Sequence, residues 1–162
     1  MEPLTGVNLK EHLAIHNFPA DQVILAKAIE IQDHLARLQH ADLFLDTFPC
    51  GAHTTASDAI FAGVPVLSIL GQSFHSRVSS SLMMHAGLPE FVCESVEEYV
   101  EKAIEAYRDS EWTNAKRNVL FDRSAIMHPY NIGTTLQSLE LAYKKMIAAE
   151  STQLLQIDPW WS

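Results

Sequence analysis

Short, continuous apolar runs alternate with segments of helical periodicity, and this alternation constrains the fold more than any other feature of the chain. The runs are rich in Val, Ile, Leu and Phe, as strands buried on both faces of a parallel sheet are. Strands that alternate with helices are typical of βαβ units. We therefore predict an α/β fold, with a parallel sheet and flanking helices. The predicted strands are residues 23–26, 43–46, 66–70 and 91–93.

The C-terminal third is predicted to be helical. Ser95 and Glu98 have the spacing of a capping box and open a helix. A further helix is predicted from about 111 to 127, because Pro129 disfavours helical geometry in the residue before it. Between the strands, periodicity predicts helices over residues 8–17, 31–40, 54–62 and 75–86. Two apolar helix faces are predicted: Val96, Tyr99, Val100, Ala103, Ile104 and Tyr107 on one helix, and Leu136, Leu139, Tyr143, Met146 and Ile147 on another.

A length of 162 residues with 48% hydrophobic content predicts one domain, residues 1–150, followed by a tail, residues 151–162. The tail ends in Asp158-Pro159-Trp160-Trp161. Two interpretations of it stay open. Its Trp residues could anchor it to another domain or partner, or they could pack locally at a loose chain end.

The charge and the N-terminal sequence argue against several classes of partner. The formal net charge is −9 with no basic run, so binding to nucleic acid is not expected. No apolar stretch reaches the roughly 20 residues of a membrane span. The first residues lack the basic and apolar regions of a secretory signal. We expect a soluble, cytoplasmic protein.

Neither the cysteines nor the histidines have a spacing that requires a metal. Cys50 and Cys93 are either small core or loop residues in a reducing compartment, which we favour, or a reactive thiol or disulfide. His12 and His16 are four residues apart on a predicted helix, but no third ligand is evident. We expect no metal and no cofactor.

Residues 41–63 contain the pattern with the clearest chemical use: an apolar strand, a loop with Pro and Gly, and His53-Thr54-Thr55 opening a helix. The first amides of a helix lack intrahelical acceptors and lie at the positive end of its dipole, so they stabilise a phosphate. Asp58 lies one turn further on and suits the two hydroxyls of a ribose. The alternative is ordinary capping, with Thr54 as the N-cap, Asp58 solvated and His53 in the loop.

This segment resembles the signature of the O-GlcNAc transferase family. The matching residues are Asp46-Thr47, Pro49, His53-Thr54-Thr55 and Asp58. The resemblance covers roughly residues 8–148. Its further segments are His34-Leu35-Ala36-Arg37, Ala41-Asp42-Leu43, Ala62-Gly63, Pro65-Val66, Ser76-Arg77-Val78, Gly87-Leu88-Pro89-Glu90 and the final helix with Leu139-Glu140, Ala142-Tyr143 and Met146.

The resemblance implies part of the C-terminal half of a GT-B glycosyltransferase, with residues 1–150 as a partial Rossmann-like domain that binds a UDP-sugar. It implies that His53, Thr54 and Thr55 hold the diphosphate and that Asp58 meets the ribose. It places His34 and Arg37 beside the uridine. The implied reaction is an inverting, metal-independent transfer from a UDP-sugar, expected to be UDP-GlcNAc, to Ser or Thr hydroxyls of proteins.

The sequence also departs from the family. Ile31 stands where many members have a lysine three residues before the histidine, and nothing before residue 8 matches the family's phosphate-contacting lysine. The N-terminal half of the cleft has no counterpart here, so no catalytic base is assigned and the chain is expected to be inactive alone. We expect an exposed apolar patch where further strands would pack, with self-association through an open sheet edge.

Other functions remain open at this stage. A non-catalytic nucleotide-binding or protein-interaction module derived from such an enzyme is the main alternative. The expected partners are UDP or a UDP-sugar, a missing N-terminal half, and a protein acceptor. A GT-B-like sugar epimerase is a weaker alternative, because His53, Thr54, Thr55 and Asp58 form an arrangement that such epimerases lack.

Overall fold

The computed structural model describes residues 4–123 and 131–148, and the chain divides into two compact units, Met1–His34 and Leu35–Ser162. The predicted tail and the predicted helix end near Pro129 lie outside the described residues. The helices are α1 (Leu4–Ile15), α2 (Ile31–Leu38), α3 (Thr54–Phe61), α4 (Val78–His85), α5 (Val96–Arg108), α6 (Ser110–Arg123) and α7 (Ile132–Ala148). The strands are β1 (Phe44–Leu45), β2 (Val66–Ile69) and β3 (Val92–Cys93), and 3₁₀ turns cover Ala20–Gln22, Phe74–Ser76 and Pro89–Phe91.

The first unit contains α1, one 3₁₀ turn and a segment without regular structure, residues 23–30. The predicted strand over residues 23–26 is wrong. A strand requires a neighbour that accepts and donates its backbone hydrogen bonds, and the sheet formed by the described residues does not include this segment. Ile24 is 87% exposed, so the apolar run is not buried either.

The second unit is built on a three-stranded parallel sheet in the order β1-β2-β3. Phe44 pairs with Val66 on one side of β2, and Ser68 pairs with Val92 on the other. The strands lie within the predicted runs 43–46, 66–70 and 91–93. The parallel sheet with flanking helices confirms the predicted fold class for this unit.

The hydrophobic core surrounds β2. Val66 and Leu67 are almost completely buried, as a strand between two neighbours and between helices should be. α3 and α4 supply the residues that cover the sheet, and Phe91 stacks on Trp112 of α6 at 5.2 Å between ring centroids. The core cluster contains Ala56, Ala59, Ile60, Ala62, Val64, Val66, Leu67, Met83, Ala86, Leu88, Phe91, Cys93 and Leu120.

The predicted helix over residues 75–86 starts later than expected. A 3₁₀ turn over Phe74–Ser76 precedes α4, which begins at Val78. The Ser76 hydroxyl donates to Ser73 O at 3.0 Å, and the Ser76 carbonyl accepts from Gly71 N at 3.1 Å. These bonds fold Ser76 back toward the preceding loop, so the α-helical ladder starts after it.

The start of α5 follows the sequence prediction, but its apolar face divides in two. The Glu98 amide donates to Ser95 Oγ at 3.1 Å, whereas the Glu98 carboxylate accepts from Glu94 N rather than from Ser95 N. Tyr99 and Ala103 pack against the core. The rest of the predicted face is exposed: Val96, Val100, Ile104 and Tyr107.

Apolar surface is also exposed along β1 and α7. β1 is an edge strand of the sheet, and its Leu45 is 56% exposed. Leu45 and Tyr107 line one open hollow beside this edge. The predicted face of α7 is present, but none of its residues is buried by the described part of the chain. None of the described helices could span a membrane.

A buried pair of serines offers a test of the packing between sheet and helix. Ser68 Oγ of β2 and Ser80 Oγ of α4 lie 2.9 Å apart, and both side chains are buried. Ser80→Ala leaves the Ser68 hydroxyl without this partner, so we expect a loss of about 1–2 kcal/mol in the free energy of unfolding. Adding Ser68→Ala removes the stranded hydroxyl and should recover part of that loss. Urea denaturation measures both variants.

The matched control is Ser81→Ala, the next serine on α4, which is only half-buried. We expect it to change the free energy of unfolding by less than about 0.5 kcal/mol. Additive losses from Ser68→Ala and Ser80→Ala would contradict a direct interaction between the two hydroxyls.

Candidate functional site

A compact segment of eight residues, 46–53, joins the end of β1 to the start of α3 and is called the turn below. The Ala52 amide donates to Asp46 Oδ1 at 2.7 Å, and the Thr47 hydroxyl donates to Cys50 O at 2.7 Å. The Gly51 amide donates to His75 O at 3.0 Å, which fastens the turn to the 3₁₀ turn before α4. The turn lies at the carboxyl end of a parallel strand, where open α/β sheets bind ligands.

The N-terminus of α3 is uncapped by side chains of the described residues. His53 occupies the N-cap position without a side-chain capping bond, and the first helical bond runs from Ser57 N to His53 O at 3.1 Å. Thr54 is the first helical residue, so its interpretation as an ordinary N-cap is wrong. The amides of Thr54, Thr55 and Ala56 donate to no acceptor in the described ranges and lie at the positive end of the helix.

His53 directly precedes these amides in the chain, and its Nε2 has no hydrogen-bond partner among the described residues. Its ring meets the edge of Phe74 at 5.6 Å between centroids and an angle of 85°. Nε2 is also shielded from solvent. A buried polar atom left without a partner costs about 1–3 kcal/mol, which an incoming ligand atom could offset.

One face of α3 packs into the hydrophobic core, and the predicted site residues of this helix are exposed or half-buried. Ala56, Ala59 and Ile60 are buried. Thr54 and Thr55 are exposed at the helix start, and Asp58 is half-buried one turn later. The structure therefore brings four predicted site residues together on one helix terminus: His53, Thr54, Thr55 and Asp58.

The other two predicted site residues lie on α2. His34 and Arg37 are three residues apart, so they share a face of this helix. The boundary between the two compact units falls between His34 and Leu35. Ile31 is the first residue of α2 and is 57% exposed. The grouping of His34 and Arg37 with the α3 residues stays a prediction.

The sequence model of glycosyl transferase family 41 matches residues 3–139. The chain belongs to glycosyl transferase family 41. The predicted resemblance to the O-GlcNAc transferase family is thereby confirmed, and the comparisons with individual proteins agree with it.

Two relatives of this family 41 chain are proteins of Arabidopsis thaliana, each described as a probable UDP-N-acetylglucosamine–peptide N-acetylglucosaminyltransferase. SEC is 34% identical over 104 residues, which are 63% of this chain and 11% of that protein. SPINDLY is 30% identical over 114 residues, which are 70% of this chain and 12% of that protein. The chain thus spans about a ninth of the length of these relatives.

A solved structure has a similar fold. It is an O-GlcNAc transferase variant from Thermobaculum terrenum, with a TM-score of 0.83 and 30% sequence identity. The match covers 90% of this chain and 28% of that one. The parallel sheet and its flanking helices are therefore similar to part of an O-GlcNAc transferase structure.

Sequence reasoning left three residues of the candidate site without a role. Asp46 accepts from the turn, and the Ser79 hydroxyl of α4 contacts both Asp46 Oδ2 and Ala52 O. Gly51 lies so close that an added Cβ would be 2.9 Å from Asp46 Oδ2 and 3.0 Å from Ser79 Oγ. Asp46 was visible in the motif, but its contact with a serine 33 positions away was not.

Within residues 4–123 and 131–148, no group of three His, Cys, Asp or Glu side chains is placed to hold a metal ion. His12 of α1 and His16, the residue after the helix, meet edge to face with 5.8 Å between their ring centroids. The absence of a metal from the reaction stays a prediction.

Burial changes the acidity of two side chains near the sheet. It raises the pKa of the Cys93 thiol to about 11, with a smaller contribution from the charge of Glu98. It also raises the pKa of Tyr99 to about 12, and the Asp46 carboxylate adds to this effect. The Tyr99 hydroxyl therefore stays protonated and donates to Asp46 O at 2.9 Å.

The two cysteines are free, and they should differ in reactivity. Cys50 is exposed in the turn, whereas Cys93 is buried with a raised thiol pKa. Because the thiolate is the reactive form, we expect a disulfide reagent at pH 8 to modify one thiol of the native chain and two after denaturation. Cys50→Ser should abolish the fast reaction. A fast reaction that persists in Cys50→Ser would contradict the burial of Cys93.

Proposed function

We propose that this chain binds the diphosphate of a UDP-sugar at the N-terminus of α3, as the donor-binding part of an inverting glycosyltransferase. The observation that carries the proposal is the shielded Nε2 of His53, which lacks a partner among the described residues. His53 directly precedes the three residues whose helix amides also lack an acceptor among the described residues. Together they form a set of donors that a phosphate group would satisfy.

The electrostatics of the helix terminus favour this ligand. A formal charge of −9 opposes the approach of an anion at long range. Close to α3, the aligned peptide dipoles place about half a positive charge at the helix start. Charge-assisted hydrogen bonds from backbone amides are stronger than neutral ones. Binding therefore requires no cluster of lysines, and we propose that it requires no metal ion.

The remaining site residues suit the rest of a uridine nucleotide. The exposed hydroxyls of Thr54 and Thr55 add donors at the phosphate position. Asp58 lies four residues further along the helix, about 6 Å by the helical rise. Its carboxylate can accept from both ribose hydroxyls. His34 and Arg37 are proposed to contact the base, by stacking and by hydrogen bonding to a polar edge.

The reaction proposed for the complete enzyme is a single displacement. A Ser or Thr hydroxyl oxygen of a protein acceptor forms a bond to the anomeric carbon, and the bond from that carbon to the UDP oxygen breaks. Negative charge grows on the leaving diphosphate, where the α3 amides and His53 stabilise it. The hydroxyl proton passes to a base, and we assign this base to no residue of this chain.

The names of the relatives support the choice of sugar and acceptor. Both Arabidopsis relatives are described as probable UDP-N-acetylglucosamine–peptide N-acetylglucosaminyltransferases. We therefore propose UDP-GlcNAc as the donor and protein hydroxyls as acceptors. The two free cysteines fit a reducing compartment, so we propose that the protein acts in the cytoplasm.

The isolated chain is proposed to bind the donor without transferring the sugar. GT-B enzymes hold the donor in a cleft between two halves, and we propose that the described sheet belongs to one of these halves. The groups that orient the acceptor and remove its proton would come from the other half. A module that binds nucleotide or protein without catalysis is the alternative, and the first experiment below separates the two.

Titration calorimetry with UDP tests the donor site. We expect the parent chain to bind UDP and His53→Ala to lose affinity by about tenfold or more, since a hydrogen bond to a charged phosphate contributes about 1.5–3 kcal/mol. The same substitution should leave the affinity for uridine almost unchanged. Asp58→Ala should weaken the affinity for both UDP and uridine, and this variant should bind UDP and 2′-deoxy-UDP equally well.

The matched control for this titration is His16→Ala, an exposed histidine at the end of α1. It should retain the UDP affinity of the parent, and circular dichroism should show that each variant is folded. A folded parent chain that binds no UDP would contradict the proposed function and favour a protein-interaction module.

A transfer assay tests the proposed inactivity of the isolated chain. We expect no transfer of labelled N-acetylglucosamine from UDP-GlcNAc to Ser- or Thr-containing peptides, although UDP still binds. The reason is that a helix terminus stabilises the leaving group but cannot deprotonate an acceptor. Transfer by the purified chain without a partner would overturn this proposal.

A further inference from the structure

Asp46 forms several hydrogen bonds beside the candidate site, although the proposed function gives it no task. Its Oδ1 accepts from Thr47 N at 2.8 Å and from Ala52 N at 2.7 Å. Its Oδ2 accepts from the Ser79 hydroxyl. One carboxylate thus closes the turn from its first residue to the residue immediately before His53.

The backbone of Asp46 is itself fixed to the fold. Its amide donates to Leu67 O at 3.0 Å, so it continues the ladder between β1 and β2. Its carbonyl accepts from the Tyr99 hydroxyl of α5 at 2.9 Å. The carboxylate therefore extends from a point held by the sheet and by a helix, and the turn cannot shift independently of that point.

Ser79 of α4 contacts the same turn at Asp46 and Ala52. Its hydroxyl lies 2.9 Å from Ala52 O and also contacts Asp46 Oδ2, and its single proton donates to one of them at a time. Ala52 is thereby held at its amide by Asp46, and its carbonyl is one of the two alternative acceptors of the Ser79 hydroxyl. Ala52 directly precedes His53, so these two contacts set the direction in which the chain enters α3.

We propose that Asp46, together with Ser79, is a positioning residue that holds the turn so that His53 and the first amides of α3 converge on the diphosphate. This inference rests on the proposed function of the helix terminus. Asp46 makes no contact with the ligand in this scheme. Its carboxylate instead accepts hydrogen bonds from the amides of Thr47 and Ala52, and so fixes Ala52, the residue before the N-cap. A preorganised array of donors binds an anion better than a mobile one.

The close packing around Gly51 supports the same arrangement. An added Cβ would meet the two polar atoms of the Asp46–Ser79 contact at 2.9 and 3.0 Å. Contacts under 3.0 Å require an atom to move, and here the nearest atoms belong to the contact that holds the turn. The backbone at Gly51 thus packs against the Asp46 carboxylate, and a larger residue at position 51 would displace that carboxylate.

The experiment compares the affinities for UDP and uridine across four variants of the chain. We expect Asp46→Ala to weaken the affinity for UDP by about tenfold and to change the affinity for uridine little. The reason is that the lost contacts orient only the groups that donate hydrogen bonds to the phosphates. Asp46→Asn should recover most of that loss, since its amide oxygen can still accept from Thr47 N and Ala52 N. Ser79→Ala should fall between the parent and Asp46→Ala.

The adjacent serine supplies the matched control. Ser80 lies on the same helix and bonds Ser68 inside the core rather than the turn. Ser80→Ala should lower the free energy of unfolding and yet bind UDP as the parent does. Amide hydrogen exchange without ligand should show faster exchange at Ala52 in Asp46→Ala than in Ser80→Ala, because only the first substitution removes the acceptor of that amide.

The outcomes separate this inference from the proposed function. If the parent binds no UDP, the proposed function fails first. If the parent binds UDP and folded Asp46→Ala binds it equally well, the inference alone is overturned. Equal losses for UDP and uridine would also overturn it, as would Asp46→Asn binding UDP more tightly than the parent, which would assign to Asp46 a direct charge repulsion of the phosphate.

Discussion

The parallel pairing of β2 with strands on both of its sides is the constraint on which the second unit depends. Phe44 and Leu45 pair with one edge of β2, and Val92 and Cys93 with the other. Because the strands are parallel, their carboxyl ends meet at one edge of the sheet, and the chain must return by way of a helix after each strand. The first of these returns is the turn that leads into α3, so the location of the candidate site follows from the sheet.

The sheet places the turn, and polar contacts then fix its shape. Apolar burial of Ala56, Ala59 and Ile60 sets which face of α3 points inward, but burial is not directional and cannot orient a loop of eight residues. Hydrogen bonds are directional, and those of Asp46 join the end of β1 to the residue before His53. Within the described residues, the first three amides of α3 then have no acceptor and the shielded Nε2 of His53 has no hydrogen-bond partner. In the proposed function, the diphosphate of the UDP-sugar accepts hydrogen bonds from this set of groups.

The sequence predicted what depends on local pattern and missed what depends on distant contacts. The runs that became β1, β2 and β3 were readable, because buried parallel strands are continuous in hydrophobicity. The run at residues 23–26 has the same composition and forms no strand, because strand formation also requires a neighbour, which a local pattern does not report. Ser95 was readable as the cap of α5 from a spacing of three residues. The contact between Asp46 and Ser79 spans 33 residues, so only the fold reveals it.

The exposed apolar surface bears on how this site would work. Leu45 at the sheet edge and Tyr107 on α5 line one hollow, and Val100 and Ile104 extend the apolar surface along the same helix. Exposed apolar patches of this kind mark interaction surfaces in soluble proteins. The residues at the N-terminus of α3, in contrast, are positioned by contacts within the second unit, with Asp46, Ser79 and the core. The physical consequence is a separation of tasks: the turn is organised by contacts within the second unit, whereas in the proposed function the groups that complete a catalytic cleft come from outside the described residues.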